Sequence, residues 1–194
     1  MDAIQRGRPV ILPTDTVYGL ATTALHPDAV LNLYRLKQRP VTQSTALLAP
    51  DLDMLFELVP ELRGRAGVVA RALLPGPYTL VLPNPARRYR WLTGANYDTI
   101  GVRVPDLPEP TAAILRQVNA LAATSANLSG GRDPATLDEV PEELRQAAAA
   151  VIDGGALPGV PSTVLDFTRP QPRVLREGLA SGAEAIERAL AATA

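Results

Sequence analysis

Four polar segments hold most of the residue types that can do chemistry. The first, Pro13-Thr14-Asp15-Thr16-Val17-Tyr18-Gly19-Leu20, sets two hydroxyls and a carboxylate directly behind the apolar run Val10-Ile11-Leu12. Such side chains close turns by accepting from nearby amides. The same groups can face a small polar ligand, with Tyr18 as a wall. The second, Leu36-Lys37-Gln38-Arg39-Pro40, ends a stretch of helical period. Cations there complement the helix dipole, and the proline stops the helix. A Lys-x-Arg pair also suits a polyphosphate, because an ammonium is a compact charge and a guanidinium a planar fork. The third, Thr124-Ser125-Ala126-Asn127-Leu128-Ser129-Gly130-Gly131, combines small side chains with glycines. It reads either as an ordinary turn or as a concavity of amides that holds an anion. The fourth group comprises Thr99 to Arg103, Pro161 to Val164 and Val174 to Gly178, each with an arginine or hydroxyl at a strand edge. Arg103 and Arg176 face solvent at a sheet margin, or they point into one cleft and bind carboxylate or phosphate.

Composition removes several alternatives. Of 19 basic residues among 194, 18 are arginine, and Lys37 is the single lysine. There is no cysteine, and the one histidine, His26, precedes a proline. That excludes disulfides, thiolate metal sites and a cysteine nucleophile, and it argues against a zinc hydrolase or a histidine triad. Neither G-x-x-x-x-G-K-[ST] nor G-x-G-x-x-G occurs, so neither common nucleotide fingerprint applies. The longest hydrophobic run, Ala147 to Ile152, falls far short of the roughly 20 residues of a membrane span. With no signal-peptide profile at the N-terminus, a cytoplasmic location is expected. The net charge of −1 argues against a broad nucleic-acid-binding face, although residues 1–97 carry 11 basic and 7 acidic groups and residues 98–194 carry 8 and 13.

These residues need a scaffold, and the pattern supplies an α/β one. Short apolar runs at Val10 to Leu12, Thr45 to Ala49, Tyr78 to Leu82, Ile100 to Val104, Leu121 to Thr124 and Thr163 to Phe167 predict strands. Helices are predicted over Pro27 to Gln38, Asp51 to Val59, Glu61 to Leu74, Thr111 to Asn119 and Pro141 to Ala149. Ser181 and Glu184 predict a capping box on a final helix. Several connections are too short for helical crossovers, so the sheet is expected to be mixed. With 19 prolines and 14 glycines spread along the whole length, residues 1–194 read as one domain. Area scaling gives a folded surface of roughly 9,000 Å². Ligands in such sheets sit beyond strand ends, where the polar segments fall.

P-T-D-T-V-Y-G-L, L-K-Q-R-P, L-P-G-P-Y-T-L-V-L, G-V-R-V-P, S-A-N-L-S-G and P-S-T-V occur in the order found in the YrdC/Sua5 family of threonylcarbamoyl-AMP synthases, which this sequence resembles from about Val10 to Gly178. The resemblance implies a twisted mixed sheet flanked by helices around a deep basic cavity, without the C-terminal domain of the longer Sua5 form. It implies formation of threonylcarbamoyl-AMP and pyrophosphate from L-threonine, bicarbonate and ATP with Mg²⁺, for N6-threonylcarbamoyladenosine in tRNA. A tRNA threonylcarbamoyl transferase complex is the implied recipient of the product. By the same resemblance Thr16, Arg103, the backbone at Ala123 and Ser162 contact threonine. Arg39, Gln43, Thr99, Ser125, Asn127 and Arg176 contact ATP, and Lys37 and Arg39 carry the catalytic charge; no protein metal site is implied. Two positions depart from the pattern: Leu48 stands where longer relatives often have histidine, and Asp133 where a small hydroxyl residue often contacts ATP. Alternatives from other classes are an RNA-binding YrdC-like module, a related carbamoyl-adenylating domain, and a paralogue with a different carbamoyl substrate.

Overall fold

The computed structural model describes residues 1–193. Nine strands form one mixed sheet in the order β7-β1-β2-β6-β3-β5-β4-β8-β9. They are β1 (Val10–Pro13), β2 (Tyr18–Thr23), β3 (Ala46–Leu48), β4 (Tyr78–Pro83), β5 (Thr99–Arg103), β6 (Leu121–Ser125), β7 (Ala150–Val151), β8 (Thr163–Asp166) and β9 (Arg173–Arg176). The pairs β1–β7, β3–β5 and β4–β8 are parallel, and the remaining neighbours are antiparallel. The helices are α1 (Asp2–Gln5), α2 (Pro27–Leu36), α3 (Leu52–Leu58), α4 (Gly64–Leu73), α5 (Thr111–Val118), α6 (Glu142–Ala147) and α7 (Gly182–Thr193). No helix among the described residues is long and apolar enough to cross a membrane.

All six predicted strands form, and the mixed sheet is as expected. Several elements escaped prediction. Tyr18 to Thr23 is a strand rather than loop, because Thr14 closes a four-residue hairpin: its Oγ1 accepts from the amides of Thr16 and Val17, each at 3.2 Å, and donates to the Val17 carbonyl at 2.7 Å. The chain after α6 leaves the helix early and adds β7 to the sheet margin. The four-residue α1 lies before the first apolar run. Ser181 does cap α7, accepting from the Glu184 amide at 3.3 Å, and a different acid, Glu177, satisfies the next amide, its Oε2 accepting from Gly182 at 3.0 Å.

Alternation along the strands divides the sheet into two faces of different character. On one face Ile11, Tyr18, Leu20, Leu47, Leu80, Leu82, Ile100, Val102, Ala122 and Leu165 join a large core with residues of α2, α3, α4, α6 and α7. On the other, Val10, Leu12, Ala21, Leu48 and Leu121 pack with Ile4, Leu115 and Val118 in a smaller cluster. The rest of that second face is open and lined by Gly19, Ala46, Thr79, Val81, Gly101, Arg103, Ala123, Ser125 and Val164. Its centre is a row of small residues, with Ala21 and Ala46 both opposite Ala123, and Val81 opposite Gly101. Nothing large rises from that floor, so a concavity remains in an otherwise packed sheet. The accessible surface of 8884 Å² agrees with the size expected from chain length.

The far margin is fixed by backbone contact. Gly178 lies so close to the preceding loop that an added Cβ would fall 2.2 Å from the Pro161 carbonyl oxygen and 2.5 Å from the Ser162 carbonyl carbon. Gly178→Ala is therefore expected to shift backbone that no rotamer change can relieve, lowering Tm by on the order of 5 °C in a thermal melt. By contrast, the Cβ of a Gly101→Ala variant meets nothing closer than 3.7 Å, and its Tm should be nearly unchanged.

Candidate functional site

The open part of the sheet is a cavity of about 430 Å³, within the range of small-ligand sites. Four cations from three segments line it: Lys37 and Arg39 at the end of α2, Arg103 from β5 and Arg176 from β9. Of the site residues proposed from sequence, Thr16, Gln43, Ala123, Ser125, Asn127 and Ser162 also line the cavity. Thr99 does not; it begins β5 two residues before Gly101, with its Oγ1 directed to the Asn96 carbonyl at 3.4 Å.

Lys37 sits where α2 ends. The helix starts with Pro27 and Asp28 in its first turn and buries Ala29, Val30, Leu33 and Tyr34 on one side. Lys37 is the C-cap, and Gln38, at φ 52°, turns the chain away. That leaves the lysine only 3% exposed, with Nζ donating to the Ser125 carbonyl and, at 2.7 Å, to Asn127 Oδ1. Burial, assisted by the nearby charge of Arg39 and opposed by Asp133, lowers its pKa to about 8. Asn127 also accepts from Ser125 Oγ at 2.7 Å and donates to the Gly131 carbonyl and to Asp133 Oδ1 at 3.3 Å. The loop after β6 is thus folded around the lysine, and the Ser129 amide donates to the Lys37 carbonyl at 3.0 Å.

Arg39 donates to Thr124 Oγ1 at 3.1 Å and to the Ser44 carbonyl, while its buried Nε has no protein partner. Its guanidinium stands 5.7 Å from the Tyr34 ring centroid. Burial lowers its pKa from the ordinary value, and the charge of Arg176 adds to the effect. Arg176 reaches the same cavity through an irregularity in β9. Val164 pairs with Arg176 but Leu165 pairs with Val174, so Leu175 is an extra residue between them. Regular alternation would turn Arg176 to the face that Val174 takes; the bulge puts it on the cavity side and leaves Leu175 53% exposed. Arg176 Nη2 donates to the Ser162 carbonyl at 2.8 Å and to its Oγ at 3.2 Å.

Arg103 is held differently. Its Nη2 donates to both carboxylate oxygens of Asp15, at 2.8 and 3.0 Å, and the pair is nearly buried, with side chains 10% and 8% exposed. Burial raises the Asp15 pKa, and the guanidinium opposes that rise.

Sequence reasoning missed two participants. Thr79 lines the cavity with its Oγ1 2.9 Å from Ser162 Oγ; its signal was the alternation itself, a hydroxyl between the inward Tyr78 and Leu80. Asp15 was singled out only with its turn, and its partner lies 88 residues away. The two departures from the family pattern also resolve. Leu48 is 1% exposed in the smaller core and does not line the cavity, whereas Asp133 does.

Comparison with known proteins agrees with this arrangement. The Sua5/YciO/YrdC family profile, described as "Telomere recombination", matches residues 2–178. A threonylcarbamoyl-AMP synthase of Pyrococcus abyssi is 36% identical over 176 residues, covering 90% of this chain and 52% of that protein. One of Vibrio parahaemolyticus is 33% identical over 185 residues, covering 92% of this chain and 96% of that protein. This chain thus spans about half the length of the archaeal relative and nearly all of the Vibrio one. The crystal structure of P. abyssi Sua5 complexed with L-threonine superposes with a TM-score of 0.83 at 34% identity, over 96% of this chain and 55% of that one. With the profile, the sequence identity and the superposition all spanning the elements that line the cavity, the chain belongs to the Sua5/YciO/YrdC family.

Proposed function

We propose that this chain is a threonylcarbamoyl-AMP synthase, converting L-threonine, bicarbonate and ATP into threonylcarbamoyl-AMP and pyrophosphate for N6-threonylcarbamoyladenosine in tRNA. The observation that carries the reading is the convergence of Lys37, Arg39, Arg103 and Arg176 on one cavity also rich in hydroxyls. The names of the relatives and the threonine bound to the Pyrococcus protein support it. The product would pass to a tRNA threonylcarbamoyl transferase complex.

In this reading threonine's amine and bicarbonate lose water to give N-carboxythreonine. Its new carboxylate attacks the α-phosphorus, and the bond to pyrophosphate breaks. No protein nucleophile enters, which suits a chain without cysteine. Negative charge gathers from the carbamate and the triphosphate, so the protein's contribution is positioning and electrostatic stabilisation. Lys37, Arg39 and Arg176 are assigned to ATP, with Gln43, Ser125 and Asn127 beside them; Arg103, Thr16, Ser162 and the Ala123 backbone are assigned to threonine. Mg²⁺ is assigned as part of the ATP substrate. Among the described residues no group of three or more acidic or histidine side chains could hold a metal, and Asp133 is the one carboxylate on the cavity wall, which fits an ion carried mainly by phosphates and water. The RNA-binding alternative draws less support, since Arg87 and Arg88 in the basic half pair with Asp98 and Glu61.

Incubation with ATP, Mg²⁺, bicarbonate and L-threonine is expected to yield threonylcarbamoyl-AMP and pyrophosphate; turnover that ignores threonine, or none at all, would sink the assignment. Lys37→Met and Arg39→Ala are each expected to slow product formation on the order of 10²- to 10³-fold with unchanged circular dichroism. The lowered pKa of Lys37 adds a pH signature. Its charge is complete well below pH 8 and is lost as pH rises through about 8. Hence kcat/KM for ATP, which reports the free enzyme, should fall above that pH. In kcat the fall should lie at higher pH, because bound triphosphate favours the charged lysine.

A further inference from the structure

The four cavity cations are not equivalent. Lys37, Arg39 and Arg176 take neutral oxygens as partners, the carbonyls of Ser125, Ser44 and Ser162 among them. Among the described residues none of the three forms an ion pair with a protein carboxylate, and Asp133 acts on Lys37 and Arg176 only at longer range. They keep their net charge. Arg103 alone is paired, with both oxygens of a nearly buried carboxylate on one of its nitrogens. Asp15 does not itself line the cavity, although its neighbours Thr14 and Thr16 do. Its bonds to Arg103 use only Nη2, so among the described residues Nη1 and the buried Nε carry no protein bond.

We propose that Asp15 is a positioning and specificity residue: by cancelling the net charge of Arg103 from behind, it makes that corner a receptor for one carboxylate that phosphate groups leave vacant. The physical argument is a difference between long-range and short-range attraction. An unpaired guanidinium draws an anion with a force that grows with the anion's charge, so it favours a polyphosphate over an amino acid. A guanidinium neutralised by a fixed carboxylate loses most of that long-range pull yet still presents directed donors. A carboxylate that fits those donors binds, and a polyphosphate gains nothing by leaving the three uncompensated cations. Specificity is achieved by weakening the wrong ligand at that corner. Asp15 also fixes the guanidinium, which a cavity floored by Gly101 and Ala46 would not restrain.

This inference rests on the reading that Arg103 receives threonine. Its test is calorimetric titration of the full chain with L-threonine, with and without inorganic pyrophosphate. In the unsubstituted protein pyrophosphate should bind beside Lys37, Arg39 and Arg176 and leave the threonine Kd within about twofold. Competition between the two there overturns the proposal without any variant. In Asp15→Asn, which keeps size but not charge, pyrophosphate should compete and raise the apparent threonine Kd about tenfold or more. A folded Asp15→Asn protein that binds threonine and remains indifferent to pyrophosphate assigns the pair a merely structural role and overturns the proposal. Failure of the unsubstituted protein to bind threonine at all is a separate result, which removes the reading of Arg103 and this inference with it.

Discussion

The governing constraint is the burial of several cations in one cavity. Charged groups resist leaving water, and like charges brought together resist it more. Lys37, Arg39 and Arg176 each have lowered pKa values with burial as the leading cause, and in each case a neighbouring arginine adds to it. The chain does not relieve this with carboxylates on the spot, which would leave little field for a ligand. It surrounds the cations with carbonyls and side-chain oxygens that accept hydrogen bonds without cancelling charge. Asn127 is the centre of that arrangement, joining Lys37, Ser125, Gly131 and Asp133. An arrangement of this kind costs stability in the empty protein and is relieved when an anion arrives.

Such a concession is sustained by the opposite face of the sheet. The large core there, with ten strand residues no more than 1% exposed among its members, fixes strand positions closely enough that alternation places every second side chain on the cavity wall. The wall is therefore a by-product of good packing elsewhere. Small residues on its floor leave room for a ligand, and long cationic side chains from the surrounding segments lean over it. The single charged partner among the described residues, Asp15, belongs to the one of these cations carried by a central strand.

Much of this was legible in the chain because the chemistry sits in compact segments. Lys37, Arg39, Ser125 and Asn127 occupy two short stretches whose residue types already suggested an anion site, and the strand runs around Arg103 and Ser162 were apparent from their β-branched residues. What stayed hidden depends on distance in sequence or on exact pairing. The Arg103–Asp15 pair links residues 88 apart, and nothing local to either names the other. The strand Tyr18–Thr23 was concealed because a turn closed by Thr14 and the strand after it share one run of hydroxyls and small residues. Thr99 was carried to the site by resemblance, yet its strand begins outside the cavity. Leu48 looked like a lost contact and proved to be core, since the same strand face that meets the cavity at Ala46 meets the smaller cluster two residues later.

The bulge in β9 carries a consequence of a different kind. Arg176 faces the cavity only because one additional residue, Leu175, precedes it opposite Val164 and Leu165. The side chain of Leu175 does little, so what matters at that position is that a residue is present, whatever its identity. Part of the cavity wall is thus written as a count. A deletion there would keep every recognisable arginine in the sequence and still rotate one of them out of the molecule's interior, a loss that residue-by-residue similarity would score as no loss at all.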